Sequence, residues 1–164
     1  MAFCRRVQPR LVSVLALHAG SLPDAEEIAQ EALVRAWQRW STVSTMASPE
    51  GWVYRVALNL STSRLRRRRV ERRADEAPAA VHPQDVSAVE GIMLRRALAT
   101  LPVRQRTVLV LRFLADFSVV ETAAIMSCAP GTVKALTSQG LAGLRSGGLV
   151  TGSGASEEEE VRDG

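Results

Sequence analysis

PEGWVYRVALNLSTSRLRRRRVERR, residues 49–73, is the stretch from which the rest of the chain can be interpreted. Between Leu60 and Arg73 it holds seven Arg and one Glu, and seven minus one gives a local charge of +6. It predicts a helix with an apolar face at its start and guanidinium groups at its end, which suits a polyanion. The apolar residues recur at the spacing of one helix face: Trp52, Val53, Val56, Ala57 and Leu60.

The same stretch could also be a charged helix that simply faces water, because a short basic run is weak evidence of function by itself. The apolar stripe with Trp52 and Tyr54 distinguishes it from a frayed basic linker. We therefore expect nucleic acid to be the partner of this helix.

Composition favours an all-α protein with a basic surface. The chain has 164 residues, 46% of them hydrophobic and only 4% aromatic. Ala, Leu and Arg are abundant, and all three favour helix. The net charge is +4, but the tail from Thr151 carries five acids and one Arg, or −4, so the rest of the chain is at +8. A basic body of this kind again indicates a polyanionic partner.

The remaining composition argues against several classes of protein. Cys4 and Cys128 are far apart and have no CxxC or His-rich spacing, so neither zinc nor a disulfide framework is expected. No apolar run approaches the roughly 20 residues of a membrane span, and residues 11–19 lack the features of a signal peptide. The sequence predicts a cytoplasmic protein with reduced thiols, no metal, no cofactor and no membrane insertion.

Two helices are predicted before the basic one. The first runs from Phe3 to His18, and Gly20 stops it. His18 has no visible partner in the sequence, so we expect it at the surface.

The second helix, from Ser21 to Trp40, begins with a capping box of Ser21 and Asp24. Its apolar stripe is expected to be buried as far as Trp37 and Trp40. The helix dipole explains much of its charge order, with acids early and Arg late. It does not explain why four polar residues cluster on one exposed side of a basic protein, and that side could dock a partner: Asp24, Glu27, Gln30 and Glu31.

The chain after the basic helix predicts a linker and a second domain. Apolar periodicity disappears over residues 72–86, which include Pro78 and Pro83. Further helices follow from Ser87, from Pro102, from a capping box at Ser118, and from Pro130. The last two, joined by a short turn, are typical of a helix-turn-helix, although a generic helical hairpin has the same pattern. The predicted division is 1–71, a flexible linker 72–86, 87–148, and a disordered acidic tail 149–164.

Both halves together resemble a known family. Four segments are similar, in order and spacing, to bacterial sigma factors of the sigma-70 family, extracytoplasmic-function type. They are DAEEIAQEALVRAW (24–37), PEGWVYRVALNLSTSRLRRRR (49–69), LRRALATLPVRQRTVLVLRFLADFSVVETAAI (94–125) and GTVKALTSQGLAGLR (131–145). The resemblance implies two small helical domains, a region 2-like bundle and a region 4-like helix-turn-helix. It also implies a transcription initiation factor whose partners are core RNA polymerase and promoter DNA, with an anti-sigma factor as a further candidate.

Carried over to this sequence, the resemblance assigns three surfaces. The first domain would dock on the β′ clamp helices, and the second would sit on the β flap. Residues 41–48 lie where the family captures a flipped base. The polar contacts to core polymerase would come from Asp24, Glu27, Gln30 and Glu31. The minus-ten contacts would come from Asn59, Ser63, Arg64, Arg66 and Arg67, and the minus-35 contacts from Thr132, Val133 and Lys134.

The chain departs from the family pattern in its second domain. Ser127 stands where the family often has Gly, and a positive φ there would be strained. Leu136 and Gln139 stand where the family usually has basic residues. We therefore expect weak minus-35 recognition.

Two other classes of function share some of these features. A stand-alone helix-turn-helix regulator of duplex DNA is the main alternative, but the acidic helix and the two separate DNA-facing helices argue against it. An enzyme acting on nucleic acid would need carboxylate or His clusters to hold a metal ion, and the sequence contains none. The sequence therefore does not predict an enzyme, and the chemistry would belong to the polymerase.

Overall fold

The computed structural model describes residues 2–74 and 87–148, and within them the regular structure is entirely helical. Residues 72–74 of the predicted linker 72–86 are helical, and the rest of that linker and the predicted acidic tail lie outside the described residues. The helices are α1 (Ala2–Ala19), α2 (Leu22–Gln38), α3 (Trp40–Val43), α4 (Pro49–Ala74), α5 (Ser87–Ala99), α6 (Val103–Leu109), which continues into a π-helical turn (Val110–Leu114), α7 (Val119–Met126) and α8 (Pro130–Ser146).

The first domain is a bundle of α1, α2 and α4. Gly20, at φ 74°, ends α1 where only a residue without a Cβ is unstrained. Ser48 begins α4 by accepting a hydrogen bond from the Gly51 amide at 3.0 Å, as its position before Pro49 predicts. The three helices meet over fully buried side chains that include Leu11, Leu15, Ile28 and Val53.

The apolar stripe of the second helix is shorter than predicted. Trp37 and Trp40 are 65% and 40% exposed instead of buried, so that prediction is wrong. The buried face of α2 stops at Ala36, one residue before Trp37. Trp40, which already belongs to α3, is covered on one side by the Phe3 ring, whose centroid lies 5.0 Å from its own.

The predicted capping box of α2 is incomplete. The Ser21 hydroxyl accepts from the Asp24 amide, as expected. The Asp24 carboxylate, however, contacts α4 instead of the start of its own helix. A long-range ion pair has therefore replaced the local contact that the pattern predicts.

The second domain packs α8 across α6 and α7. Gly140 of α8 lies against Leu109, where an added Cβ would be 3.0 Å from the Leu109 side chain, so glycine sets the close approach of α8 to α6. The predicted capping box of α7 is complete, with Ser118 and Glu121 each accepting from the other's backbone amide. Asp116, at φ 57°, interrupts the helical backbone before α7.

Ser127 ends α7 in the left-handed conformation, at φ 53° and ψ 48°. The Cys128 amide bonds to the Ala123 carbonyl at 3.0 Å, and the Ser127 amide bonds to the Ala124 carbonyl at 3.3 Å. This is the Schellman arrangement, in which glycine is the usual residue. The strain expected from a non-glycine residue at this turn is therefore present.

The two domains are not separate in space. Helices α1 and α4 of the first pack against α5, the π-helical turn and α7 of the second, and one apolar core runs through both. We call this contact the interdomain seam. The all-α class with two small domains is confirmed, whereas the seam was not predicted. None of the described helices has the length and apolar character required to cross a membrane.

Candidate functional site

Arg64 joins the predicted polymerase-docking residues to the predicted DNA-reading helix. Its guanidinium donates to both carboxylate oxygens of Glu27, at 3.2 Å (Nη1–Oε2) and 2.7 Å (Nη2–Oε1), and to Asp24 Oδ1 at 3.4 Å. Arg68, one turn later on α4, pairs with the other oxygen of Asp24. These four side chains form a clasp that fixes α2 against α4.

Contacts within the clasp favour the charged forms of Glu27 and Arg64. The hydrogen bonds and the positive charge of Arg64 lower the pKa of Glu27, and the bond to Glu27 raises the pKa of Arg64. The two acids differ in exposure: the Asp24 side chain is 14% exposed, whereas that of Glu27 is 68% exposed. Asp24 therefore offers little surface to a partner, whereas Glu27 remains accessible.

The outward side of α2 carries the other two predicted docking residues. Gln30 and Glu31 are both exposed. Glu31 Oε1 accepts a hydrogen bond from Arg35 Nε at 2.8 Å, which is the i,i+4 pair expected on a helix surface. Among the four predicted docking residues, the accessible acids are therefore Glu27 and Glu31.

Two apolar side chains extend this polar surface toward the end of α2. Val34 and Trp37 lie one and two turns after Gln30, and they are 43% and 65% exposed. At helical spacing they continue the face that Glu27, Gln30 and Glu31 begin. This side of α2 is thus an acidic surface with an apolar extension.

The outer face of α4 carries four of the five predicted minus-ten residues. Asn59, Ser63, Arg66 and Arg67 are exposed and recur at helical spacing on one side. Arg64 is the exception, because it is turned toward α2 and held in the clasp. The accessible set can offer an amide, a hydroxyl and two guanidinium groups to nucleic acid.

The start of α8 has fewer side chains accessible to DNA than the sequence predicted. Val133 is completely buried, so its side chain belongs to the core and has no surface with which to contact DNA. Lys134 is exposed and Thr132 is half-buried. Leu136 is half-buried against the core, and Gln139 is exposed. The accessible cation near the start of this helix is therefore Lys134.

The segment predicted to capture a flipped base, residues 41–48, contains most of the short helix α3. Val43 is buried and holds the segment on the domain, while Ser41, Thr42, Ser44 and Thr45 are exposed. Hydroxyl groups therefore dominate its accessible surface.

His18 was predicted at the surface, and that prediction is wrong. It is completely buried, with Nδ1 2.7 Å from Ser61 Oγ and Nε2 2.8 Å from Thr107 Oγ1. Its partners are 43 and 89 residues away in sequence, so no local pattern could reveal them.

Helical spacing does contain a signal for the clasp. Arg64 and Arg68 lie seven and eleven residues after the buried Ala57, which places them on the inward face of α4 rather than beside Asn59. In the sequence the arginines form one continuous run, so inward-facing and outward-facing arginines are not distinguished at first sight. Among the described residues, no group of three or more His, Cys, Asp or Glu is placed to hold a metal ion.

Two family models match the chain in the order of its domains. Sigma-70 region 2 matches residues 3–71, and Sigma-70, region 4 matches residues 92–144. The first match covers α1 to α4 up to Glu71, and the second covers the helix-turn-helix.

Individual proteins show the same similarity. The chain is 30% identical over 142 residues to the ECF RNA polymerase sigma factor SigW of Bacillus subtilis, covering 77% of this chain and 76% of that protein. It is 31% identical over 162 residues to the RNA polymerase sigma-E factor of Streptomyces antibioticus, covering 96% and 84%. Among solved structures, the sigma factor RpoE in complex with the anti-sigma factor NepR from Bartonella quintana aligns with a TM-score of 0.72 at 25% identity, covering 85% of this chain and 90% of that one.

Proposed function

Because this chain belongs to the sigma-70 family of RNA polymerase sigma factors, extracytoplasmic-function type, we propose that it binds core polymerase through α2 and promoter DNA through α4 and α8. Its function is to direct RNA polymerase to specific promoters. The assignment of individual residues to these contacts is our proposal.

The docking surface for core polymerase is the outward side of α2. Glu27 and Glu31 supply negative charge, and the exposed Trp37 supplies an aromatic side chain of the kind that dominates binding energy at protein interfaces. Asp24 contributes indirectly, by holding α2 on α4 through Arg64 and Arg68. The partner surface is expected to be basic with an apolar pocket.

The minus-ten surface is the outer face of α4, and the observation that carries the proposal is the common exposure of Asn59, Ser63, Arg66 and Arg67 on that face. The two arginines attract phosphates, and the Asn59 amide can read a base edge.

The minus-35 surface is the start of α8, where Thr132 and Lys134 make the contacts. Lys134 is the accessible cation near the start of this helix, and Val133 is buried. We therefore expect most of the promoter specificity to come from α4 and from core polymerase.

Run-off transcription with core polymerase and a genomic fragment library tests the function directly. A sigma factor yields defined transcripts only when core polymerase and this protein are both present. Duplex binding as tight without core as with it would instead support a stand-alone regulator.

A charge exchange tests the docking surface. The double variant Glu31→Arg, Arg35→Glu reverses the charge at position 31 but retains an i,i+4 ion pair, so its stability should stay within about 0.5 kcal/mol of the native protein. We expect weaker binding to core polymerase in a titration at low salt. The control is Arg35→Ala, which leaves Glu31 in place. Unchanged affinity in the double variant would remove Glu31 from the interface.

Three further properties belong to the same proposal. The protein acts in the cytoplasm, where RNA polymerase acts, and it contributes binding rather than catalysis. The structural relative RpoE was crystallised with an anti-sigma factor, and this similarity supports an anti-sigma factor as a partner of this chain too.

A further inference from the structure

The last two turns of α4 carry a concentration of positive charge on their exposed surface. The clasp holds Arg64 and Arg68, but among the residues that the structure describes no ion pair involves the arginines that follow them. With Glu71 among them, five Arg minus one Glu gives a local charge of +4. We call this surface the arginine face, and its members are Arg66, Arg67, Arg69, Arg72 and Arg73.

The spacing of the arginine face makes an anion favourable there. Arg66, Arg69 and Arg73 are three and four residues apart, so they lie on one side of the helix. Like charges at this spacing repel each other and oppose the helix that carries them. An anion placed between the guanidinium groups relieves this repulsion, and bidentate hydrogen bonds to carboxylates suit arginine in particular.

The sequence that follows α8 contains an anion of matching charge. Residues 157–160 are four Glu in succession, and from Thr151 onward five acids and one Arg give −4. This charge is equal and opposite to that of the arginine face. Eight residues, LVTGSGAS, separate Gly148 from the first of these Glu residues. The two oppositely charged segments therefore belong to one chain, and the length of the connection decides whether they can meet.

The end of α8 lies near the middle of α4, with the end of α1 between them. Leu144 of α8 and Leu17 of α1 line the same groove, and His18, the next residue, contacts Ser61 of α4. Packed helix axes are about 8–10 Å apart, and a groove adds a few Å. Arg66 is five residues beyond Ser61. At about 1.5 Å per helical residue, this path from Gly148 to Arg66 measures about 35 Å.

The chain after α8 is long enough to cover this distance. An extended chain spans at most about 3.3–3.6 Å per residue, so twelve residues from Gly148 to Glu160 reach about 40 Å. The path along the helices is also longer than the straight line between its ends. Residues 157–160 can therefore contact the arginine face of their own molecule.

The outer side of α1 is the other basic surface to consider. Arg5, Arg6 and Arg10 are exposed, but they are three arginines over six residues, whereas the arginine face has five over eight. Arg6 also lies over the Phe3 ring, with its guanidinium carbon 5.7 Å from the ring centroid. The arginine face of α4 therefore has the higher charge density, and it attracts a short acidic segment more strongly.

We propose that residues 157–160 bind the arginine face of α4 in the same molecule and compete there with the phosphates of DNA. The competition rests on the proposed function, whereas the contact itself can be tested without DNA or polymerase. An occupied face lowers the apparent affinity for DNA by the fraction of molecules in which it is free. Because phosphate contacts carry no sequence information, this competition reduces non-specific binding most.

Carbodiimide crosslinking tests the contact, because this reagent joins a carboxylate directly to an amine that touches it. The chain has one lysine, Lys134. Lys134→Arg removes it, and Arg66→Lys then places an amine on the arginine face with the charge retained. The matched control is Arg6→Lys in the same background, which places the amine on the basic side of α1. Mass spectrometry identifies the linked peptides in the monomer and dimer fractions.

The Arg66→Lys protein should link position 66 to residues 157–160 in the monomer fraction, several-fold more than Arg6→Lys links position 6. The link should decline at about 1 M salt, where the Debye length falls to about 3 Å. Equal links in both variants, or no link in either, would overturn the proposal. Links confined to the dimer fraction would also overturn it, since the occupant would then be a second copy.

Titration of a non-specific duplex tests the competition. The tail variant is Glu158→Gln, Glu159→Gln, and the control is Glu26→Gln, Glu50→Gln, which removes the same charge from helical positions outside the tail. The tail variant should bind about threefold to tenfold more tightly at about 50 mM salt, with a slope steeper by about one to two units, because DNA then releases the counterions that the tail had displaced. Equal changes in both variants would overturn the competition.

The two levels of the proposal fail in different ways. If the crosslink forms but run-off transcription yields no promoter-specific product, the proposed function fails while the contact stands. If transcription is promoter-specific but position 66 forms no link, the contact fails while the proposed function stands.

Discussion

Individual arginines on α4 have different roles according to the direction in which they point. Arg64 and Arg68 face inward and neutralise Asp24, whereas Arg66 and Arg67 face outward. The mean directions of the two pairs differ by about 130°, since each residue of a helix advances by about 100°. A single basic run thus supplies an internal ion-pair clasp and the exposed arginines that we propose for nucleic-acid binding.

Alanine substitutions should separate these roles. Arg64→Ala leaves the largely buried Asp24 with Arg68 as its ion-pair partner. We expect the free energy of unfolding to fall by about 1 kcal/mol. This loss is smaller than for a fully buried ion pair, because solvent screens the partly exposed arginine. Arg66→Ala should change the stability by less than about 0.5 kcal/mol. It should also reduce the salt dependence of promoter binding by about one unit of slope.

Urea unfolding and promoter titrations at several salt concentrations measure the two effects on the same pair of variants. The assignment would be contradicted if Arg64→Ala reduced the salt slope while Arg66→Ala reduced the stability. Equal effects of both variants would mean that the run acts as one diffuse surface.

At the scale of elements, α8 contributes more to the core than to a DNA-facing surface. Val133 and Gly140 are buried, Leu136 and Leu144 pack inward, and Gly140 brings the helix close to α6. Exposed Lys134 provides charge near the start of the helix. The sequence of this element thus favours packing and provides few groups for DNA.

A positive charge added to α8 should therefore strengthen the electrostatic part of promoter binding at an exposed position and destabilise the fold at a core position. Gln139→Arg places a guanidinium on the exposed side and should raise the salt slope of promoter binding by about 0.9 for one new phosphate contact. Leu136→Arg places it against the core and should lower the free energy of unfolding by about 2 kcal/mol.

Thermal melts and promoter titrations in complex with core polymerase compare the two variants. A stable Leu136→Arg protein with tighter promoter binding would show that Leu136 faces the DNA groove. That outcome would also require a different packing of α8 on α6.

At the scale of the whole molecule, the packing of the two domains at the seam, here called the closed state, depends on pH through His18, which lies 2.8 Å from Thr107 of the other domain. The pKa of His18 is about 3 in the closed state, below its ordinary value of 6.5. A lowered pKa favours the neutral ring, so this stabilisation is fully present above pH 6.5 and declines as pH falls below it. The groups that contact the ring are two hydroxyls, and the nearby charge is Arg106, which stays protonated.

We therefore expect acid to open the seam. From about pH 7.5 to about 5.5 the closed state should lose about 1.4 kcal/mol, or about tenfold in the ratio of closed to open molecules, since each unit of pH below the ordinary pKa contributes about that amount. Pulsed electron paramagnetic resonance between spin labels at Gln8→Cys and Ser146→Cys, both exposed positions, measures the interdomain distance after Cys4→Ser and Cys128→Ser remove the native thiols. Because the chain has two histidines, His82→Gln is the control that isolates His18. A closed fraction that is constant over this range would contradict the role of His18.

Much of the architecture follows from local features of the sequence. Apolar periodicity, the caps at Ser48 and Ser118, and the stops at Gly20 and Asp116 predict where helices begin and end, because these signals act within a few residues. The family resemblance assigns each candidate surface to a particular helix. The inward direction of Arg64 could also have been inferred, since helical spacing from a buried residue predicts it.

Only the tertiary structure decided which of these side chains remain accessible. The burial of His18 and Val133, the exposure of Trp37, and the pairing of Arg64 with Asp24 all depend on which distant helix lies opposite. The partner that His18 finds in α6 is 89 residues away, and hydrophobic periodicity carries no information about such a contact. The sequence by itself determined the helices and their family, whereas long-range packing determined which residues form the core, the clasp and the seam.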